Sequence, residues 1–362
     1  MKKIHIFLII LTPIILLSIS YLIFLKFRKI KYFKCPEKPN ANLLNEVLQK
    51  NNFIKNDQNY NLYMTCGYND VEEELENMNI PNSKYINALK GCDKIVSKSS
   101  IWFILQTKYG RYGAKKIMPE SFLIEDIDEF NLAMNRVKNG EILIAKKNLQ
   151  RKLGLKFIFN PEDLIEARDD EFIVAQKFLE NTKTINGRKL NLRIYLLIIK
   201  KNNKIEFFIN QNGKVLYTKE KTSGPIKFES HITSYQMDPE LYEKENIPHN
   251  LKELESLFGI NEYKNIWDKI IFKLTLLASA SAPVFEYNKF NDKICFQLFG
   301  IDMILDGNEP YLLEINKGPD MIPKCIKDEP LKKNIYEEVF HKVGLIFNPF
   351  RKNNFTKIYT YN

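Results

Sequence analysis

The chain has 362 residues, of which 44% are hydrophobic and 12% aromatic, a composition that excludes a disordered or low-complexity chain. Its five cysteines are odd in number and include no C-x-x-C pair, so reduced thiols in a cytosolic setting are expected rather than disulfides or a zinc site. The net charge is +10, but seven basic residues lie in 1–34, which has no acid, and without them the charge is only +3. We therefore expect no nucleic-acid partner.

The N-terminal segment predicts a membrane anchor. Residues 6–25 carry no charged side chain, and as a helix they would span about 30 Å, the thickness of one hydrocarbon core. The alternative is a cleaved signal peptide, whose apolar region would be shorter and would end in a small-residue site, and we favour the uncleaved anchor. Basic residues are more numerous after the segment than before it, which predicts a single-pass membrane protein whose body faces the cytosol.

The body of the chain begins with short predicted elements. Residues 36–44 form a linker, and the sequence "NLLNEVLQKNN" predicts a short helix. Residues 59–69 predict a strand that leads into a turn, and an acidic helix follows. Residues 99–110 have helical periodicity, with serine near the start and glycine at the end.

Strands dominate the second half of the chain. Residues 141–147 and 171–180 predict buried strands, and residues 191–210 predict a hairpin around an Asn-Asn turn. Residues 265–280 predict a helix with one apolar face. Helices mixed with antiparallel strands predict an α+β fold, with subdomains around a cleft.

The segment 295–316 predicts a hairpin that carries acids on one face. Apolar residues alternate along the first strand, and turn formers occupy 306–310. If the turn centres on Asn308, Asp302 lies directly opposite Glu314, and Asn316 lies further along the same face.

Two carboxylates that face each other across a ladder repel, unless a cation lies between them. Carboxylate and carboxamide oxygens suit a hard ion such as Mg²⁺, which keeps positions open for substrate phosphates, so a nucleotide is implied. The alternative is a solvated hairpin whose acids point into water, and the hairpin alone leaves both open.

Several other polar residues are candidates for contact with phosphates. Lys146 and Lys177 lie at strand ends, and Lys189 and Arg193 are four positions apart, hence on one face of a strand. The sequence "SHITS", 230–234, groups a histidine with two hydroxyl side chains. Each of these features, taken singly, also fits a solvated surface, and the P-loop pattern G-x-x-x-x-G-K-[ST] is absent.

The order of these segments resembles the tubulin–tyrosine ligase-like family of ATP-grasp ligases. The resemblance runs over roughly residues 88–325, through "ALKGCDKIVSKSSIW", "MPESFLI", "ILIAKK", "FIVAQKFLEN", "INGRKLNLRIYLLI" and "HITS". Its most specific block is "FGIDMILDGNEPYLLEINKGPDM". It implies an ATP-grasp fold, in which two α+β subdomains enclose a nucleotide cleft, here preceded by one transmembrane helix. The predicted divisions are 1–34 (anchor and basic flank), 35–118 (N-terminal subdomain), 119–350 (central and C-terminal ATP-grasp subdomains) and 351–362 (tail).

The resemblance also implies ATP and Mg²⁺ as cofactors and a role for each matched residue. The implied Mg²⁺ ligands are Asp302, Glu314 and Asn316. The residues implied at the nucleotide are Lys98, Lys146, Gln176, Lys177, Leu179, Lys189, His231 and Thr233. The residues implied in catalysis are Lys189, Arg193 and Glu314.

The implied reaction activates a carboxylate. ATP would phosphorylate the carboxylate of an acidic protein tail, with tubulin as the family's acceptor, and the amine of a free amino acid would displace the phosphate. Four positions depart from the family pattern: Asn191 replaces an acid expected at the ribose, Tyr217 replaces an arginine, Ser234 replaces an asparagine, and Lys147 stands where a proline is common. Two alternatives therefore stay open, a ligase with a non-tubulin acceptor and an inactive nucleotide-binding scaffold at a membrane.

Overall fold

The computed structural model describes residues 28–34, 42–65, 71–77, 83–148, 154–233, 238, 240–286 and 290–362. The predicted anchor, residues 6–25, lies outside these ranges. Within them, no helix combines the length and the apolar character needed to cross a membrane. This finding contradicts the predicted membrane localisation. The predicted transmembrane helix and membrane partner are not supported.

The N-terminal part consists of short elements followed by one long helix. These are β1 (Ile30–Lys34), α1 (Asn42–Lys50), β2 (Phe53–Lys55), β3 (Leu62–Met64), α2 (Val71–Asn77), β4 (Tyr85–Asn87), α3 (Cys92–Val96) and α4 (Lys98–Ala114). The hydroxyl of Ser97 caps α4 by accepting a hydrogen bond from the Ser100 N–H. Gly110 was expected to end this helix; it instead adopts φ 67°, and the helix resumes after the kink. The capped start places Lys98 at the first position of the helix.

A small antiparallel sheet forms the next unit. Its elements are β5 (Ser121–Leu123), α5 (Ile127–Lys138), β6 (Leu143–Lys146), β7 (Leu155–Ile158), α6 (Pro161–Asp169) and β8 (Val174–Lys177). The strand order is β5-β8-β6-β7. Apolar side chains of both helices, including Phe130 and Leu164, pack on one face of the sheet. The opposite face is left for Lys146 and Gln176, the polar residues of β6 and β8.

The remaining elements complete a larger sheet. They are β9 (Thr184–Ile185), β10 (Arg188–Lys201), β11 (Lys204–Asn210), β12 (Lys214–Tyr217), α7 (Phe228–His231), α8 (Leu241–Lys244), α9 (Leu251–Phe258), α10 (Ile260–Ser281), a 3₁₀ turn (Ala282–Phe285), β13 (Ile294–Asp306), β14 (Glu309–Asn316), α11 (Asp328–Lys342) and β15 (Phe355–Tyr361). The strand order is β15-β11-β10-β13-β4-β3-β1-β2, while β9 and β12 pair with β10 and β14 pairs with β13. The predicted hairpin around the Asn-Asn turn is β10 and β11.

Helices cover both faces of the large sheet. The longest helices, α4 and α10, bury side chains such as Trp102 and Ile270 against one face. On the other face, α1 and α11 bury side chains such as Leu48 and Phe340. Strand β10 lies centrally, and its 14 residues contribute side chains to both layers. The result is a mixed α/β fold with two sheets, which agrees with the predicted mixture of helices and antiparallel strands.

The predicted domain boundaries stay predictions. Residues 30–34, in the segment predicted as a basic flank, form β1 of the large sheet. Residues 355–361, in the segment predicted as a tail, form β15 and pair with β11. The strands of the large sheet therefore come from all parts of the described chain.

The hairpin of β13 and β14 pairs Asp302 with Glu314, as predicted, but for a reason that the sequence analysis did not anticipate. The turn contains two residues, Gly307 and Asn308, so Asp306 pairs with Glu309. A regular ladder from that turn would pair Asp302 with Leu313 and would turn Glu314 to the other face. A β-bulge at Leu313 shifts the register by one residue and restores the pairing of Asp302 with Glu314.

A buried ion pair fastens α11 to the large sheet. The carboxylate of Asp328, at the start of α11, accepts hydrogen bonds from Lys214 Nζ at 2.7 and 2.8 Å and from His249 Nε2 at 2.7 Å. Lys332, one turn further on, contacts the same carboxylate at 3.3 Å. Burial opposes its charge, but His249 and Lys214 hold the pKa of Asp328 well below its usual range. Asp328 is thus the counter-charge of two buried ammonium groups.

We expect Asp328→Ala to lower the free energy of unfolding by about 3–5 kcal/mol, because it leaves those ammonium groups buried without a partner. Urea unfolding at pH 7 measures the effect. Because the pKa of Asp328 is lowered by folding, its contribution is complete above the unfolded value near 3.9, and the difference between wild type and variant should shrink as the pH falls below about 4.

The matched control is Asp320→Ala, which removes a half-exposed acid from the segment before α11. It should change the free energy of unfolding by no more than about 1 kcal/mol. Equal losses in the two variants would contradict the role given to Asp328.

Candidate active site

Four adjacent strands present a row of charged side chains on one face of the large sheet. The register pairs Glu314 of β14 with Asp302 of β13, Asp302 with Arg193 of β10, and Arg193 with Lys214 of β12. Residues that pair directly across a ladder point to the same face, so two acids and two bases lie side by side. The predicted opposition of Asp302 and Glu314 is confirmed.

Arg193 donates two parallel hydrogen bonds to Asp302. Its Nε donates to Oδ1, and its Nη2 donates to Oδ2 at 2.9 Å. Burial opposes both charges: it raises the pKa of Asp302, which Arg193 partly offsets, whereas Asp302 keeps the pKa of Arg193 above its usual value. This forked geometry is the strongest form of arginine–carboxylate pair. Arg193 therefore supplies part of the positive charge that the sequence analysis assigned to a metal ion alone.

Positively charged side chains from several elements of the fold lie near Glu314. Lys98 of α4 places its Nζ 4.0 Å from Glu314 Oε2. Burial would raise the pKa of Glu314, but Lys98, Lys146 and Arg193 together hold it below the usual value. The carboxylate is therefore ionised at neutral pH, in a setting where its repulsion from Asp302 is offset.

Asn316 completes the predicted trio of metal ligands. Its Nδ2 lies 3.4 Å from Asp302 Oδ2 and 3.4 Å from the carbonyl oxygen of Gly300. Asp302, Glu314 and Asn316 thus lie together at the end of the hairpin. Two carboxylates and one carboxamide form an oxygen donor set of the kind that fits Mg²⁺.

Lys146 approaches this group from the small sheet. Its Nζ donates to Gln176 Oε1 at 2.7 Å, and the Gln176 Nε2 donates to Ser121 Oγ at 2.9 Å. Burial lowers the pKa of Lys146 to about 8, although Glu314 partly offsets this. The structure therefore brings Lys146 and Gln176 together, and Lys146 lies close enough to Glu314 for that carboxylate to affect its pKa.

Lys177 does not join them. Side chains alternate along a strand, so Lys177 points away from the face on which Gln176 lies. Its Nζ pairs with Glu141 at 3.2 Å, and its side chain is 47% exposed. The Lys177 side chain therefore points away from Lys146 and Gln176, and the predicted contact of Lys177 with the nucleotide stays a prediction.

Lys189 is buried, and among the described residues no carboxylate accepts a hydrogen bond from its ammonium group. Its Nζ donates to the carbonyl oxygens of Leu179 at 3.3 Å and of Glu180 at 2.7 Å, and it lies 4.8 Å from the centre of the Phe178 ring. Burial lowers the pKa of Lys189 to about 8, with a partial offset from Glu180. Predicted residues Leu179 and Lys189 are thus in contact, through the main chain of Leu179.

His231 lies nearby at the end of α7. Its Nδ1 accepts a hydrogen bond from the Lys227 N–H at 3.3 Å and lies 2.8 Å from Ser230 Oγ. Since a main-chain N–H can only donate, the ring proton is on Nε2. Burial and the nearby Lys189 lower the pKa of His231, so the ring is neutral at pH 7. Thr233 is buried two residues further on, and Ser234 lies outside the described residues.

The departures noted in the sequence have different structural outcomes. Asn191 lies between Lys189 and Arg193 on the same strand face, and its Oδ1 is buried without a hydrogen-bond partner among the described residues. Tyr217 faces the opposite side, where its hydroxyl donates to the Pro248 carbonyl oxygen at 2.9 Å. The replacement of an arginine by Tyr217 stays a prediction. Leu216, the register partner of Asn191, lies on the strand face opposite to that of Tyr217.

Sequence reasoning missed Gly300. A Cβ atom at this position would lie 3.1 Å from Arg193 Cδ and 3.0 Å from Pro319 Cβ. The absence of a side chain gives Arg193 the room to reach Asp302. A glycine inside an otherwise regular strand was the available signal, because such glycines mark close approaches.

Two other groups of metal-ligand side chains occur in the described part of the chain. The first group is His249, Cys325 and Asp328, and its Asp328 carboxylate already contacts two lysine ammonium groups, which would repel a metal cation. The second group is Glu72, Cys92 and Asp93. Its Glu72 Oε1 accepts hydrogen bonds from the main-chain N–H groups of Gly91 and Asp93 at 3.0 and 3.3 Å. Both groups have structural explanations, so the hairpin trio stays the candidate metal site.

The sequence of this chain is similar to those of known proteins. Residues 75–354 match the model of the tubulin-tyrosine ligase family. The chain is 26% identical over 303 residues to tubulin polyglutamylase ttll-4 of Caenorhabditis briggsae, which covers 77% of this chain and 48% of that protein. It is 26% identical over 323 residues to the human probable tubulin polyglutamylase TTLL2 (82% and 52%) and 22% identical over 284 residues to the mouse tubulin monoglutamylase TTLL4 (72% and 24%). The chain thus spans about half the length, or less, of these curated relatives.

We expect Gly300→Ala to lower the free energy of unfolding by about 1–3 kcal/mol, because the new methyl group crowds Arg193 and Pro319. Chemical unfolding measures the effect. In an Arg193→Ala background one of the two clashes is absent, so the same substitution should cost less, with a coupling of at least about 0.5 kcal/mol. Additive effects would show that Gly300 does not make room for Arg193.

Proposed function

Because this chain belongs to the tubulin-tyrosine ligase family, we propose that it is an ATP-dependent ligase that joins an amino acid to a protein carboxylate. The observation that carries the proposal is the convergence of cations from both sheets on the Asp302–Glu314 pair, with Lys98 and Lys146 nearest to Glu314. A site of one buried and one partly buried acid among several cations suits a nucleotide with its metal ion.

We assign the binding roles by position. Lys98 and Lys146 would contact phosphates, and Gln176 with the main chain of Lys177 and Leu179 would line the base. His231 offers a neutral Nε2–H donor from the facing segment. Asp302, Glu314 and Asn316 would hold Mg²⁺, which when bound would offset the charge of the phosphate oxygens. We propose that the two sheets form an ATP-grasp cleft around these groups.

The proposed reaction has two steps. The carboxylate of the acceptor attacks the γ-phosphorus of ATP, which forms an acyl phosphate and releases ADP. The amine of the amino acid then attacks the acyl carbon, forms the amide bond and releases phosphate. Lys189 and Arg193, which share one strand face, would stabilise the oxygens on which negative charge develops.

The relatives suggest the substrates. They are named tubulin polyglutamylases and a tubulin monoglutamylase. We therefore propose the acidic tail of tubulin as the acceptor and glutamate as the first amino acid to test. A non-tubulin acceptor stays open, because the names of the relatives are the only support for tubulin.

An inactive nucleotide-binding protein is the second candidate. Asn191, Tyr217 and Ser234 depart from the family pattern, and Asn191 places a neutral side chain on the strand face of Lys189 and Arg193, where the resemblance implies an acid. Loss of that charge would weaken nucleotide binding while leaving the hairpin trio in place. The assay below separates this candidate from the ligase.

We expect the purified chain, with ATP and Mg²⁺, to transfer a radiolabelled amino acid to tubulin. Each amino acid is tested separately, and glutamate should label. Glu314→Gln should reduce labelling at least 100-fold, because it removes a proposed metal ligand. Asp306→Asn, which neutralises an exposed acid at the turn end of β13, the strand that pairs with the strand of Glu314, should label as the wild type does. ATP binding without labelling of tubulin or of any protein in a cell lysate would favour the inactive candidate.

We also expect kcat/KM for ATP to fall above pH 8. The pKa values of Lys146 and Lys189 are lowered to about 8 by burial, so both lose their positive charge as the pH rises through that value, and phosphate contacts weaken. With two such groups, log(kcat/KM) should decline with a slope approaching −2, and in Lys146→Arg, whose guanidinium stays charged, with a slope of about −1. Lys177→Arg, an exposed control on the neighbouring strand, should keep the wild-type slope.

A further inference from the structure

A cluster of aromatic rings bridges the two sheets beside the candidate site. Phe157 belongs to β7 of the small sheet, and Phe178 follows β8 of the same sheet. Their rings meet edge to face at 5.2 Å. Phe228 of α7, in the segment that follows β12 of the large sheet, packs on Phe157 with ring centroids 4.9 Å apart. The α7 segment is therefore held against the small sheet by its first residue.

The last residue of the same helical turn is His231. Its ring lies 6.0 Å from the ring of Phe178, which in turn lies under the ammonium group of Lys189. The Lys227 N–H, directly before Phe228, donates to His231 Nδ1 and sets the tautomer of the ring. One turn of helix thus connects the Phe228 contact rigidly to the position and the protonation of His231.

We propose that Phe228 is a positioning residue for the nucleotide site: by packing on Phe157 it fixes α7 so that His231 and Thr233 face the nucleotide. This inference rests on the proposed function, because it takes the ligand to be ATP. Phe228 itself lies outside the set of proposed ATP contacts, and its effect passes through His231.

The variant that tests the proposal is Phe228→Ala, and the chain offers a matched control. Phe159 also packs on Phe157, with ring centroids 5.9 Å apart, but it belongs to the small-sheet unit and is 49% exposed. Phe159→Ala therefore removes a ring from the same cluster without breaking the bridge. Phe228→Leu keeps apolar bulk at the bridge and serves as the conservative variant if Phe228→Ala folds poorly.

The measurements are hydrogen–deuterium exchange of the peptides that cover 227–233, and the affinity for ATP with Mg²⁺ by calorimetry. Phe228→Ala should raise exchange in these peptides and weaken ATP binding by roughly three- to tenfold, the loss expected for one aromatic contact. Phe159→Ala should change neither quantity, and Phe228→Leu should bind ATP within about threefold of the wild type.

Three results would overturn the proposal. Unchanged exchange in Phe228→Ala would show that the ring does not anchor α7. Raised exchange with wild-type ATP affinity would show that the anchor does not position the nucleotide site. If the wild-type chain itself bound no ATP, the proposed function would fail and the positioning role with it, an outcome that differs from a defect confined to Phe228→Ala.

Discussion

The opposition of Asp302 and Glu314 is the constraint on which the rest of the site depends. Two carboxylates that pair across an antiparallel ladder repel each other, and burial makes the repulsion more severe. The fold answers it by bringing positive charge from three separate places, namely Arg193 of β10, Lys98 of α4 and Lys146 of β6. Because Lys146 comes from the small sheet, the same electrostatic requirement that stabilises the hairpin also links the two sheets.

Backbone features that carry no charge make this arrangement possible. The bulge at Leu313 turns Glu314 to the face of Asp302, and without it a two-residue turn would send the glutamate to the opposite layer. Gly300 leaves the space through which Arg193 reaches Asp302. An extra residue in one strand and a missing side chain in the next are thus as necessary to the site as its charged groups, because a one-residue change of register reverses every side chain along a strand.

Local pattern explains what the sequence predicted well. Alternation and turn chemistry lie within a few residues of one another, so the hairpin followed from the sequence. The pairing of Asp302 with Glu314 was predicted, but it depends on a bulge at Leu313 that the sequence did not predict. The fork between Arg193 and Asp302 did not, because it needs β10 and β13 to pair across more than 100 residues. The same limit applies to Lys177, whose side-chain orientation depends on which face of β8 is buried. Hydropathy, which suggested the anchor at 6–25, reports apolar length alone, and the described helices include no membrane span.

The charges that line the proposed cleft do not cancel among the described residues. Lys98, Lys146, Lys189 and Arg193 outnumber the two carboxylates, and the acceptors of Lys189 in this part of the chain are main-chain carbonyl oxygens. Burial without a contacting anion is the reason why the pKa values of Lys146 and Lys189 lie near 8. By linkage, an anion that enters the cleft must raise those pKa values by the same free energy with which the protonated lysines attract it. A polyphosphate that keeps net negative charge after binding one divalent ion meets this requirement, whereas a bare metal ion at the hairpin would add to the excess.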